Sequence, residues 1–307
     1  MVLPTSGTIG LKAIQTEFGG TNPISLKEYY RGGSFVPNLT ASNANIPTSG
    51  TIGLEQFYGA RKYSATPLVP SSWTGAATGM TFVEYSSNTT WSKPSGVAND
   101  QWVIVYAIGG GGATSEYDAG ASGSDKYSMG GGGGGGGYIA SVRGSVLNGA
   151  SFVVGAGAIG TGTRTTDAPS GSASTITLTN STVYTAGGGQ GGTSSSGGGD
   201  GGTGGTGGYT WDTSGGNSNP FASNTAADFN GGKGGRASNT AGVSSIWGAG
   251  GGAGGSSNPG TAGTSTNAGN GGAWLSNGSV PGGGAGHDED NGHTDGGNGR
   301  IRVWYES

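Results

Sequence analysis

The densest set of chemically capable side chains is the run His287-Asp288-Glu289-Asp290-Asn291-Gly292-His293-Thr294-Asp295, which holds both histidines of the chain. Imidazoles and carboxylates within one loop can ligate a divalent cation, and carboxylate-rich loops suit Ca²⁺. The spacing departs from the EF-hand loop, which needs a glutamate at its twelfth position. The other reading is a solvated loop in which His287, Asp288, Asp290 and His293 present hydrogen-bonding groups to sugar hydroxyls or cationic side chains. A second set is aromatic. Tyr209, Trp211 (with Asp212), Phe221, Trp247 and Trp274 fall in short stretches between glycine blocks. Aromatic side chains on the loops of a rigid scaffold form recognition surfaces. The alternative is that they fold back and supply the apolar contacts that glycine lacks.

Catalytic signatures are missing. Glycine spacing produces many G-x-G-x-x-G matches, but none opens a helix after a strand with an acidic residue at the right distance. Lys233 is followed by glycine, not by the Ser or Thr of a P-loop. Ser in glycine tracts matches a nucleophile elbow by chance, and no pair of side chains argues for hydrolysis. The chain has no cysteine, which excludes disulfides and thiolate chemistry. Lys and Arg are scattered, giving no nucleic-acid footprint. No apolar run is long enough to span a membrane, and the leading MVLPTSGTIG lacks the regions of a signal peptide. The expectation is a binding or structural protein without enzyme activity, metal or other cofactor, made without an export signal.

What must position the loops is glycine, with 74 in 307 residues. The longest block is Gly130–Gly137, echoed at 109–112, 187–192, 197–208, 231–235, 248–255, 269–272, 282–286 and 296–299. Glycine loses the most conformational freedom on ordering, so such blocks must pack cooperatively or stay disordered. The formal charge of only -4 gives little self-repulsion to hold the chain open. A polyglycine segment in the left-handed extended helix rises about 3.1 Å per residue with three residues per turn, so Gly130–Gly137 would span about 25 Å. Its peptide groups point outward in three directions, and without side chains neighbouring segments can bond laterally. The blocks are therefore expected to form bundled polyglycine helices joined by turns.

Strand-like segments flank the blocks at Met80–Ser86, Gln101–Ile108, Tyr138–Arg143, Ser151–Val154, Ser174–Leu178, Thr182–Thr185 and Arg300–Tyr305. An unpartnered RIRVWY would be an aggregation hazard. It is expected to pair with QWVIVYAI, which closes the glycine tract into one domain. The fold class is then mainly β: a small N-terminal segment with short helices (1–62), a linker (63–73), and a β-sandwich-like domain (74–307) enclosing a polyglycine bundle. The N-terminal segment repeats itself. Leu3–Leu11 (LPTSGTIGL) returns as Ile46–Leu54 (IPTSGTIGL), and Ile24–Tyr30 (ISLKEYY) matches Ile52–Tyr58 (IGLEQFY). One helix should run from near Gly10 to Gly19, and Ser25 with Glu28 makes a capping box ahead of Gly32. Leu11, Phe18, Tyr29, Tyr30, Phe57 and Tyr58 are its apolar payload. They would serve a docking element or a self-contained cap on the next domain.

These residues carry a resemblance. The order WSKPSGV (91–97), QWVIVYAIGGGG, the Gly130–Gly137 block with YIASVRGSVLNGASFVVGAGAIG, and the terminal GGNGRIRVWYES resembles the glycine-rich domain of bacteriophage tail-fibre proteins, over roughly the C-terminal three-quarters of the chain. The leading LPTSGTIGLKAIQTEFGGTNPISLKEYYRG resembles N-terminal segments of marine and cyanobacterial phage structural proteins. Alternating glycine blocks and loops also resemble fibre-tip adhesins of T-even-like phages, whose packed polyglycine helices present receptor-binding loops. The N-terminal segment differs from the attachment domain of those adhesins. The resemblance implies a virion component, docked through residues 1–62 to other tail, fibre or baseplate proteins. Tyr209, Trp211, Asp212, Phe221, Trp247, Trp274, His287, Asp288, Asp290 and His293 would contact a bacterial surface receptor (outer-membrane protein or polysaccharide). A homotrimer suits a fibre component, an adhesin capping a fibre could be monomeric, and a purely structural virion role is the alternative.

Overall fold

A computed structural model describes residues 3–38, 43–64, 66–114, 128–161, 167–195, 199–213, 219–236, 240–253, 261–273, 276–286 and 293–306. It is mainly β. In chain order the elements are α1 (Leu11–Phe18), single 3₁₀ turns at Leu26–Glu28 and Leu54–Phe57, β1 (Met80–Tyr85), β2 (Thr89–Thr90), β3 (Trp102–Ile108), β4 (Ser128–Met129) and β5 (Gly137–Arg143). There follow α2 (Gly144–Leu147), β6 (Ser151–Val153), β7 (Ser174–Thr177), β8 (Val183–Ala186), β9 (Ser194–Ser195), β10 (Gly208–Thr210), a 3₁₀ turn at Ala226–Phe229 and β11 (Arg300–Glu306).

The C-terminal strand lies where its sequence requires a partner on each side. β11 pairs antiparallel with β3 (Val303 opposite Val105) and with β1 (Val303 opposite Val83), in a five-stranded sheet of order β1-β11-β3-β5-β10. A four-stranded sheet of order β2-β6-β7-β8 packs against one face, and β4 pairs with β9. Between the two sheets lie Trp91, Val103, Val105, Val142, Phe152, Ile176, Ile301 and Val303. The opposite face of the five-stranded sheet carries Ile104, Tyr106, Ile108, Ile139 and Trp304 beneath a layer of aromatic loop residues. Every residue of β3 is consequently buried, as the unbroken apolar run QWVIVYAI demands.

Strands continue into glycine segments without a break. The donors of the central block go to three neighbours in strict rotation. Gly131 and Gly134 donate to Gly235 and Gly232, Gly132 and Gly135 to Ala285 and Gly282, Gly133 and Gly136 to Gln190 and Gly187, all at 2.8–2.9 Å. The carbonyls rotate likewise, accepting from Gly112 and Gly109, from Gly202 and Gly205, and from Gly252 and Ala249. One segment thus has six hydrogen-bonded neighbours with a three-residue period, neither helix nor sheet by its bonding. The buried backbone groups of residues 131–136 are all satisfied, as burial requires. The same requirement forbids side chains. A Cβ at Gly134 would lie 2.1 Å from the Ala249 carbonyl oxygen, and one at Gly132 2.1 Å from that of Gly112.

Arg302, buried on β11, ties this assembly together. Its guanidinium donates to Glu84 Oε2 at 2.8 Å, to the Trp73 carbonyl at 3.1 Å and to the Asn267 carbonyl at 2.7 Å. Trp304 Nε1 donates to the Gly75 carbonyl at 2.8 Å. The incoming chain is thereby tied to β11 at Trp73 and Gly75, and Ser64 N–H bonds to Glu306 Oε2 at 3.0 Å.

The N-terminal unit has its own core of Leu3, Ile9, Ile14, Phe18, Tyr29, Val36, Ile46, Phe57 and Ala60. Helix α1 begins after Gly10 and ends at Gly19, and the Ser25–Glu28 capping box forms. Gly32 takes φ +82°, a left-handed conformation open to glycine.

The close packing sets a direct expectation. Gly134→Ala must displace backbone and should cost about 3 kcal/mol or more. Gly75→Ala, with nothing within 4 Å of the added Cβ, should stay within about 0.5 kcal/mol. Denaturant midpoints of the two variants measure this, and equal shifts would refute it.

Candidate functional site

The bonding register gives the glycine layer two ends. Gly135 and Gly136, beside the start of β5, bond to Gly282 and Gly187, whereas Gly131 and Gly132, farther from the strands, bond to Gly235 and Ala285. Chain segments leaving the strands therefore reach their outer end near Thr114, Gly160, Thr193, Arg236, Ala253 and Gly286. These ends are tied to one another. Thr114 N–H donates to the Thr294 carbonyl at 3.1 Å, Thr193 N–H to the Asp200 carbonyl at 2.9 Å, and Gly286 N–H to the Ser276 carbonyl at 3.0 Å. Asp295 Oδ1 accepts from Gly160 N–H at 2.8 Å, and Asn277 Oδ1 accepts from Asp295 N–H at 2.8 Å. Thr114 and Thr294 share a buried hydroxyl contact at 2.8 Å. Asp200 and Arg236 form an exposed ion pair at 3.2 Å. The outer end carries mostly short polar side chains, of which Thr294, Asp295 and Asn277 hold backbone of a neighbouring segment.

The sequence candidates divide between the two ends. Tyr209, Trp211, Phe221 and Trp247 lie at the strand end, packed on the five-stranded sheet with Phe229 and Trp73. Ring centroids are 5.1 Å apart for Tyr209–Phe229, 5.3 Å for Phe221–Trp247 and 5.2 Å for Trp73–Trp247. Phe221 is 1% and Trp211 8% exposed. The Thr225–Asp228 capping box fixes the turn that delivers Phe229, and the Thr225 N–H bond holds the Asp228 carboxyl below its ordinary value. Tyr106, beneath the layer, donates to the Trp247 carbonyl, and burial pushes its phenol strongly up. Asp212, half-buried, receives position from its own N–H bonded to Ser141 Oγ at 2.9 Å.

His293 is exposed at the outer end. Trp274, His287, Asp288 and Asp290 lie outside the described residues, as does most of the cation candidate 287–295. Among the described residues no group of three or more His, Asp or Glu side chains is placed to hold a metal ion. The N-terminal candidates Phe18, Tyr29 and Phe57 are buried in their own core, with Leu11, Tyr30 and Tyr58 partly buried around it.

The junction of the two units was not legible in the sequence. A cavity of about 220 Å³ is lined by Thr16, Glu17, Arg61, Lys62, Ser95 and Asp100, among others. Lys62 N–H donates to Glu17 Oε1 at 2.7 Å, and Tyr63 donates to the Gly96 carbonyl. The adjacent Arg61-Lys62 pair closing the repeat is the one signal that could have marked it. No family model matches the chain, and no curated protein matches it either. No helix among the described residues is long and apolar enough to cross a membrane.

Glu306, at this junction, gives a pH test. Burial raises its carboxyl, with the Ser64 N–H bond acting in the opposite sense. A carboxyl that titrates higher when folded loses its proton first in the unfolded chain. Its stabilising contribution is therefore present below the ordinary carboxylate range and is lost as pH rises through the raised value. Glu306→Gln should raise the melting temperature at pH 7.5 and leave it unchanged near pH 3. A gain independent of pH would contradict this.

Proposed function

We propose that the chain is a phage tail-fibre or baseplate-associated adhesin whose glycine segments are polyglycine helices packed in a bundle. The observation that carries the bundle is the three-residue rotation of donors and acceptors around Gly131–Gly136. A left-handed extended helix with three residues per turn presents its peptide groups in that order. Its outer end would face the host, because connecting segments between the tied ends can change composition while the bundle beneath is held by backbone alone. The N-terminal unit would dock onto tail, fibre or baseplate proteins. An outer-membrane protein or surface polysaccharide would be the receptor, and the protein would work on the virion without catalysing a reaction.

The strand-end aromatics serve this reading as the floor of the bundle. Receptor contact then falls to the outer connections, including 115–127, 254–260 and 287–292, and to His293. Labelled protein mixed with bacteria should bind strains that the phage infects. A variant with those three segments replaced by Gly/Ser of equal length should lose binding while keeping its circular dichroism spectrum. Absence of binding by the unaltered protein to every such strain would overturn the adhesin reading and favour a purely structural virion component.

A further inference from the structure

Side chains alternate along β11, so Arg302, Trp304 and Glu306 fall on one face of the sheet. Both charged members of that row are buried, Arg302 to 5% and Glu306 to 8% exposure. Only the first is compensated. Arg302 meets Glu84 Oε2 at 2.8 Å and the carbonyls of Trp73 and Asn267. Glu306 forms no ion pair among the described residues. Its Oε2 accepts from Ser64 N–H at 3.0 Å, while Oε1 accepts no hydrogen bond among the described residues and is not sealed from solvent. Gln101 Nε2 donates to the Glu306 carbonyl at 2.6 Å, which fixes the strand end that carries the side chain. Buried carboxylates are ordinarily paired. Here burial raises the carboxyl, and no neighbouring cation acts in the opposite sense.

Glu306 borders a second cavity at the junction of the two units, of about 540 Å³, a size that suits a small ligand. Phe35 and Pro37 of the N-terminal unit and Leu68 of the connecting chain give it apolar walls. Thr78 on its wall is exposed, so the cavity opens to solvent. Lys62 is the one cation among the described lining residues. Its ammonium stands 5.4 Å from the centroid of the Tyr63 ring, over the ring face, and not at Glu306. The Tyr63 hydroxyl is spent on the Gly96 carbonyl. The cavity therefore joins an apolar wall to a buried carboxylate that its own surroundings leave without a cation.

We infer that this cavity binds a primary alkylammonium group, with the nitrogen at Glu306 Oε1 and the hydrocarbon stem against Phe35, Pro37 and Leu68. An ammonium carries donors and no acceptor, which matches an oxygen that only accepts. An anion would meet the charge of Glu306, and an uncharged ligand would leave that charge uncompensated. A free amine and a lysine side chain present the same group. The site stands whether or not the chain is an adhesin.

Isothermal titration of the full chain with butylamine at pH 8 tests this, alongside acetyl-lysine methylamide as the side-chain form and 1-butanol and butyrate as controls. At least one of the two amines should bind at one site per chain, and both controls should bind about tenfold more weakly or worse. Glu306→Gln keeps an acceptor for Ser64 N–H and removes the charge. It should weaken amine binding about tenfold or more. Whichever amine binds more tightly names the source, a free amine or the side chain of a partner protein. Absence of binding by both amines, an affinity unchanged in Glu306→Gln, or 1-butanol binding as well as butylamine would overturn the site.

Discussion

The lateral hydrogen bond between glycine segments is the constraint on which everything else rests. A net contribution of about 1 kcal/mol per bond is modest, yet a segment such as 131–136 spends every donor and acceptor this way. Its neighbours are bonded in turn, as Gly234 to Gly202 and Gly189 to Gly110 show. Glycine is costly to order, so a single segment would not hold. Many segments, each bonded on several sides, offset that cost together. The same geometry explains the composition, because a methyl group at a central position collides with backbone that has nowhere to move.

The two sheets solve the problem the glycine layer cannot. Backbone bonding gives no apolar burial, and β3, β5 and β11 supply it on both faces. Because these strands run straight into glycine segments, the sheets also set the register in which those segments meet. Arg302 links edge strand, incoming chain and one loop through three hydrogen bonds. It stands opposite Glu84, whose second carboxylate oxygen lies 3.5 Å from Arg300.

Much of this was legible in the residues. The strands at 80, 102, 138, 151, 174 and 300 are marked by β-branched and aromatic runs, and the pairing of RIRVWY with QWVIVYAI followed from the hazard of leaving it alone. Strand β10 was missed because Gly-Tyr-Thr has no pattern of its own and exists through its parallel pairing with Tyr138–Ala140. The placement of Tyr209, Trp211, Phe221 and Trp247 could not be read, since loop sequence does not say at which end of a layer a loop falls. The second copy in the N-terminal unit was only half visible. Thr21-Asn22-Pro23 stands where the other two copies have Ser-Gly-Thr, and Gln15 meets the Asn22 side chain where Tyr30 and Tyr58 meet backbone carbonyls.

Residue-resolved amide hydrogen exchange tests the central claim most directly. If the glycine segments are bonded to one another as described, the amides of Gly131–Gly136 will be protected to the level of β3 and will exchange only with global unfolding. Exchange of those amides at the rate of a free chain, while β3 stays protected, would contradict it.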